Sequence, residues 1–174
     1  MRHRLNFLRG LAAVSVLTAG ASAASAETLR VPKTGTPALT AEVPAGWIAT
    51  YTRTDELTIK DAPDMAILEV SVISDPALVA KPLDEIAREV LREAEVAPRW
   101  TSTGPESIAG LPGQAFIVPV IIDSRPVGTV RLFVAKIDAG HAARLTEITI
   151  VKGTTAQEEE TLKTIVSGLR IEGR

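Results

Sequence analysis

The sequence predicts an α+β domain, a mainly antiparallel sheet of about six strands sandwiched by helices. Short stretches that alternate apolar and polar residues follow one another through turn-forming residues, which is the pattern of hairpins. Two longer stretches switch to helical spacing, one in the middle of the chain and one at its end, so helices are segregated from the strand runs. Only three Phe, one Tyr and two Trp occur among 174 residues, and aliphatic side chains must therefore build most of the core.

In chain order, Glu27 to Pro37 carries two prolines and a glycine with little periodicity and reads as an extended lead-in. Leu39–Val43 reads as a first strand. The turn Pro44-Ala45-Gly46-Trp47 delivers a tryptophan, read as core, into a second strand that includes Tyr51. After the short piece Leu57–Lys60, the sequence Asp61-Ala62-Pro63-Asp64 has turn composition. In Met65–Ile73, Leu68, Val70 and Val72 share one face while Glu69 and Ser71 take the other. Pro82 to Glu95 reads as an amphipathic helix with Leu83, Ile86, Ala87, Val90, Leu91 and Ala94 as its apolar stripe, closed before Pro98. Trp100–Gly113 reads as a loop with one short strand near Glu106–Ala109 and a turn at Leu111–Gly113. Three strands follow, Gln114–Ile122, Val127–Ile137 and Ala143–Val151, joined through Asp123-Ser124-Arg125-Pro126 and Asp138-Ala139-Gly140-His141. Pro119 cannot donate a ladder bond and marks an edge or a bulge. The final helix, Thr155–Leu169, opens with a capping box of Thr155 and Glu158 and buries Leu162, Ile165, Val166 and Leu169.

The first 26 residues have the three parts of a cleavable secretory signal. Arg2, Arg4 and Arg9 supply positive charge, Leu11–Ala19 is apolar but too short to span a bilayer, and Ala24-Ser25-Ala26 forms a cleavage pattern, with Ala21-Ser22-Ala23 as a second one. Cleavage near Ala26 would leave 148 residues as the lead-in (27–37) and one α+β domain (38–174), periplasmic or secreted and without an integral membrane segment. It would remove three of the 19 Lys and Arg and none of the 21 Asp and Glu, leaving a net charge of −5, which argues against a nucleic-acid partner. The absence of cysteine excludes disulfides, thiolate chemistry and lipoprotein acylation.

The residue types of common active sites are missing. His141 is the one histidine beyond the signal, no G-x-S-x-G or S-x-x-K pattern accompanies it, and no phosphate-binding glycine loop follows a strand. Nitrogen and sulfur metal sites are excluded, and the spacing of Asp61 and Asp64 matches no calcium loop, so no metal or cofactor is expected. The 21 acids offer many carboxylate pairs whose separation only a structure defines. Exposed aromatic and hairpin residues remain as candidate binding positions: Arg99 and Trp100 beyond the first helix, and Arg125 and His141 in the two hairpin turns.

Pro44, Gly46 and Trp47 in V-P-A-G-W, then Ile108, Gly110, Leu111 and Gly113, then the helix around Ile165, resemble the PsbP-like fold family over nearly all of Leu39–Ile171. The resemblance implies an antiparallel sheet sandwiched by helices and a role in binding or assembly, with no shared catalytic site. Together these readings point to a non-enzymatic exported binding or accessory module acting on a protein or envelope partner. The alternatives are a carrier of a small apolar ligand, or a hydrolase whose site only the fold would assemble.

Overall fold

The computed structural model describes residues 26–93, 100–122, 125–150 and 153–172. Residues 1–25 of the expected signal lie outside the described residues, as do Arg99 and the turn positions Asp123 and Ser124. Strands β1 (Glu27–Val31), β2 (Ala38–Val43), β3 (Ile48–Arg53), β4 (Glu56–Lys60) and β5 (Ala66–Ile73) come first. Helices α1 (Pro76–Val79) and α2 (Leu83–Glu93) follow. Strands β6 (Thr101–Ile108), β7 (Leu111–Ile122), β8 (Arg125–Lys136) and β9 (Ala142–Ile150) lead to helix α3 (Ala156–Gly168) and strand β10 (Arg170–Glu172).

Seven strands form the main sheet in the order β3-β4-β5-β9-β8-β7-β6, and β1, β2 and β10 form a second sheet with β2 in the middle. Every pairing is antiparallel. The fold class read from the sequence stands, with more strands than expected. The lead-in is extended, and its first residues also pair: Glu27–Val31 lie against Val43–Leu39. The region before Gly113 is a strand of eight residues, where only a short one near Glu106–Ala109 was expected.

Two cores lie on the two faces of the main sheet. On one face, Ile86, Ala87, Val90 and Leu91 of α2 pack on Phe116, Val118, Val130, Leu132 and Val134. On the other, α3 and the small sheet bring Leu162, Ile165, Val166, Leu39 and Ala41 onto Leu68, Val70, Phe133 and Leu145. Strand β8 therefore feeds both layers, and its residues Leu132–Ala135 are all buried. The covering layer over the second face is part helix and part sheet.

Local chemistry accounts for the helix ends. The Thr155 hydroxyl accepts from the Glu158 amide while Glu158 Oε2 accepts from the Thr155 amide at 2.6 Å, so the expected capping box forms. Asp75 caps α1 by accepting from the Ala77 amide at 2.9 Å, with Pro76 placed where a missing N–H costs nothing. Pro82 precedes α2, and its carbonyl accepts from the Glu85 and Ile86 amides at 3.1 and 3.0 Å.

The turn expected at Leu111–Gly113 lies two residues earlier. Ala109 and Gly110 have φ of 55° and 73° between the paired residues Ile108 and Leu111, the left-handed geometry of a two-residue hairpin whose twist matches its strands. Gly113 is a strand residue instead, and a Cβ there would lie 2.5 Å from the Phe133 ring. Pro119 sits beyond the last β6 partner of β7, Ile117, and beside the register shift at Val120, so both an edge and a bulge are present. Urea unfolding checks this assignment. Gly113→Ala is expected to lose about 1–3 kcal/mol through overpacking. Ala109→Asn, which suits positive φ better than alanine, is expected to be neutral or slightly stabilising.

Candidate functional site

Helix α3 packs over β2 and β5. On the same sheet face Ile108, Leu111, Ala115, Phe133 and Ala135 are buried in the second core, whereas Ile117, Pro119 and Ile121 farther along β7 are exposed and have no covering layer among the described residues. A cavity of about 530 Å³, open to solvent, lies where the helix stops and this bare face begins. Arg131, Glu147, Glu106 and Ile108 form its floor, with Lys163 and Val166 of α3 along one wall. The floor is fixed by register. Arg131 lies directly opposite Glu147 on β9 and opposite Ile117 on β7, and directly opposed residues share a sheet face.

Arg131 bonds Glu147 through Nη1 and Glu106 through Nη2, so one guanidinium bridges two carboxylates from different strands. The Glu147 side chain is 12% exposed, and burial pushes its carboxyl above its ordinary value. Attraction to Arg131 opposes that shift without cancelling it, and Glu106 adds to it. On the other side of the sheet, Arg144 repeats the motif with Glu56 at 2.8 Å and Glu69 at 3.2 Å, and burial raises Glu69 in the same way.

Beyond the trough the sheet surface turns apolar. Ile117, Pro119 and Ile121 occupy alternate positions of β7, and all three are exposed, Ile117 by 36% and Ile121 by 57%. The register shift puts its extra residue on β8, since Val120 and Ile121 oppose Gly128 and Pro126, so the alternation along β7 is unbroken. The row and the trough make one continuous surface, charged at the α3 end and apolar at the hairpin end.

The positions singled out by sequence are dispersed. Trp100 stacks edge-on against Phe116, with ring centroids 4.9 Å apart, on the face that α2 covers. Arg125 is exposed at the start of β8. His141 lies past the other end of that strand, roughly 35 Å away along 12 residues. There its Nδ1 is 2.8 Å from Asp138 Oδ1, which also accepts from the Gly140 amide at 2.7 Å. These bonds, the Gly140 amide first and the imidazole second, hold the Asp138 carboxyl below its ordinary range. Arg99 lies outside the described residues. Trp47 and Tyr51 are partly buried against the second core, and Tyr51 donates to the Arg30 carbonyl at 2.7 Å.

Glu106, Arg131, Glu147, Ile117 and Ile121 were not singled out by sequence. A signal for two of them exists: once the Asp138–His141 turn sets the hairpin register, Arg131 and Glu147 must face each other. Glu106 and Lys163 join them only through tertiary packing.

No protein-family model matches the sequence, and no curated protein matches it. Solved structures do. Cyanobacterial PsbP (CyanoP) from Synechocystis sp. PCC 6803 superposes with a TM-score of 0.56 at 14% identity, covering 94% of this chain and 99% of its own. The fold is PsbP-like. LpqN of Mycobacterium tuberculosis, described as involved in cell envelope biogenesis, superposes with a TM-score of 0.52 at 14% identity, covering 85% of this chain and 92% of its own. At that identity the PsbP-like likeness extends to the fold alone. Among the described residues no helix is long and apolar enough to cross a membrane.

The charge cluster makes a pH prediction. A carboxyl whose value is raised on folding favours stability below the ordinary carboxylate range and loses that contribution as pH rises through the raised value. Glu147→Gln is therefore expected to flatten the decline of Tm between about pH 4.5 and 7 relative to wild type. Arg131→Met leaves two carboxylates facing each other and is expected to cost about 2–3 kcal/mol at pH 7, less than a fully buried pair because the site is partly wet. Thermal melts across this pH range read both effects.

Proposed function

We propose that this chain is an exported, non-enzymatic accessory module that docks a protein partner of the cell envelope through the trough and the β7 row. The observation that carries the reading is the exposed, unbroken line Ile117–Pro119–Ile121 beside a charged trough. Large apolar side chains lined up on an uncovered sheet face, rimmed by polar groups, are typical of protein contact surfaces. The three-part signal pattern of Met1–Ala26 supports export. The description of LpqN as involved in cell envelope biogenesis favours an envelope role.

Both alternatives fit less well. A carrier of apolar ligands needs an enclosed apolar cavity, whereas the trough is open and its floor carries three charges. A hydrolase would use Glu106 and Glu147 as acid and base, but Arg131 binds both and occupies the place between them where a scissile bond would lie. The partner is expected to meet Ile117 and Ile121 directly.

A photo-crosslinking residue at Ile121 is expected to capture a single envelope protein from cells, and the same residue at Arg170, on the small sheet, is not. Ile117→Asp combined with Ile121→Asp is expected to abolish capture by a crosslinker at Lys163 while leaving Tm within a few degrees, because both side chains are already exposed. Capture that survives the double substitution would overturn the docking reading.

A further inference from the structure

A sheet edge carries unpaired backbone N–H and C=O groups, and proteins that stay apart guard such edges with charge, proline or bulges. The two sheets have four edge strands among the described residues, β1 and β10 in the small sheet and β6 and β3 in the main one. β1 carries Glu27 and Arg30, and β10 carries Arg170 and Glu172. β6 carries Pro105 and Glu106 beside a register shift at Gly104. β3 differs. Ile48-Ala49-Thr50-Tyr51-Thr52 is a neutral run rich in strand-forming residues, without proline, and its one irregularity comes at the turn end.

The outer edge of that run is free. β4 pairs with its inner edge, and no backbone group outside that ladder bonds Ile48–Thr52 among the described residues. The lead-in comes close but binds elsewhere. The Lys33 amide donates to the Thr54 carbonyl at 3.1 Å, and the Lys33 ammonium sits 4.1 Å from the centre of the Tyr51 ring, on the side of the second core. On the opposite side Ile48, Thr50 and Thr52 are exposed, and α2 packs at the other end of the sheet, on β7 and β8. Ile48, 46% exposed, is the one large exposed apolar side chain among the described residues that lies away from β7.

We propose that β3 pairs with β3 of a second copy of this chain, antiparallel about a two-fold axis through Thr50, so that two main sheets become one. A second copy fits because the run is complementary to itself. In a continuous sheet directly opposed residues share a face, so residues that meet across the axis must both be even-numbered or both odd-numbered. Centring on Thr50 sets Ile48 against Thr52, Ala49 against Tyr51 and Thr50 against its own copy, which uses the whole neutral run. No like charges meet, since Arg53 falls opposite Trp47 of the second copy. The pairing supplies partners for the orphan backbone groups of the edge and places Ile48 beside the Thr52 methyl group of the second copy. The interface is short, so the dimer is weak and forms with concentration. β3 stands at the far end of the main sheet from β7, so the pair leaves the trough and the apolar row of both copies uncovered and does not rest on the docking reading.

Sedimentation velocity on the purified protein is expected to show a monomer at about 10 μM and a growing dimer fraction towards about 1 mM. Thr50→Lys sets two ammonium groups against each other across the axis and is expected to stay monomeric throughout, with Tm within a few degrees of wild type because Thr50 is exposed. The absence of cysteine allows a test of register. Thr50→Cys with oxidised glutathione is expected to form a disulfide-linked dimer at least about tenfold faster than Thr52→Cys, whose two copies would lie about 13 Å apart along the strands. A wild type that stays monomeric up to about 1 mM, or equal rates for the two cysteine variants, would overturn the pairing. A dimer that survives Thr50→Lys but is lost in Ile117→Asp combined with Ile121→Asp would overturn it in favour of self-association through β7.

Discussion

Strand β8 is apolar on both faces through its second half, and the architecture depends on that double burial. Val130, Leu132 and Val134 face α2, while Phe133 and Ala135 face the layer made by α3 and the small sheet. A strand solvated on one side would support a single layer. Here each side needs its own cover, and the two helical segments and the extra sheet supply it. Gly113 belongs to the same constraint, because the Phe133 ring lies where any side chain at that position would project.

Arg131 is the single polar break in the buried stretch Val130–Ala135, and it stands where the second cover ends. A charge at that point is satisfied only by partners on neighbouring strands, which Glu147 and Glu106 provide. Pairing keeps the cluster hydrogen-bonded at the margin of the core, yet burial still lifts Glu147 above its ordinary value. The balance of burial and pairing therefore marks the border between packed interior and bare sheet. The apolar row of β7 begins one strand away from that border.

Much of this was legible in the sequence because it is periodic. Leu68, Val70 and Val72 alternate as a strand must, the α2 stripe recurs at helical spacing, and the Thr155–Glu158 cap is local chemistry. The elements that were not legible lack such a signal. β6 carries Gly104 and Pro105, residues that read as loop, and it is a strand because β7 offers it a partner. β1 and β10 are short and pair only with β2, β1 from within the proline-bearing lead-in and β10 across most of the intervening sequence. Ala109 at positive φ hid the hairpin turn, because alanine seldom takes that conformation. The candidate surface was obscure for a different reason. Ile117 and Ile121 look like core residues in a strand, and only the extent of α3 reveals that nothing covers them among the described residues.

The small sheet ties together residues that are far apart in time as well as in sequence. Leu39 pairs with Ile171, so one edge of β2 stays open until the chain has been made as far as β10. Any polypeptide delivered from its N-terminus must therefore wait with β2 half paired, exposing an edge ready to accept the wrong strand. Among the described elements β10 is the one that closes this edge, and a single residue, Leu169, separates it from α3. The second core therefore lacks its α3 residues, Leu162, Ile165 and Val166, until that segment has been made.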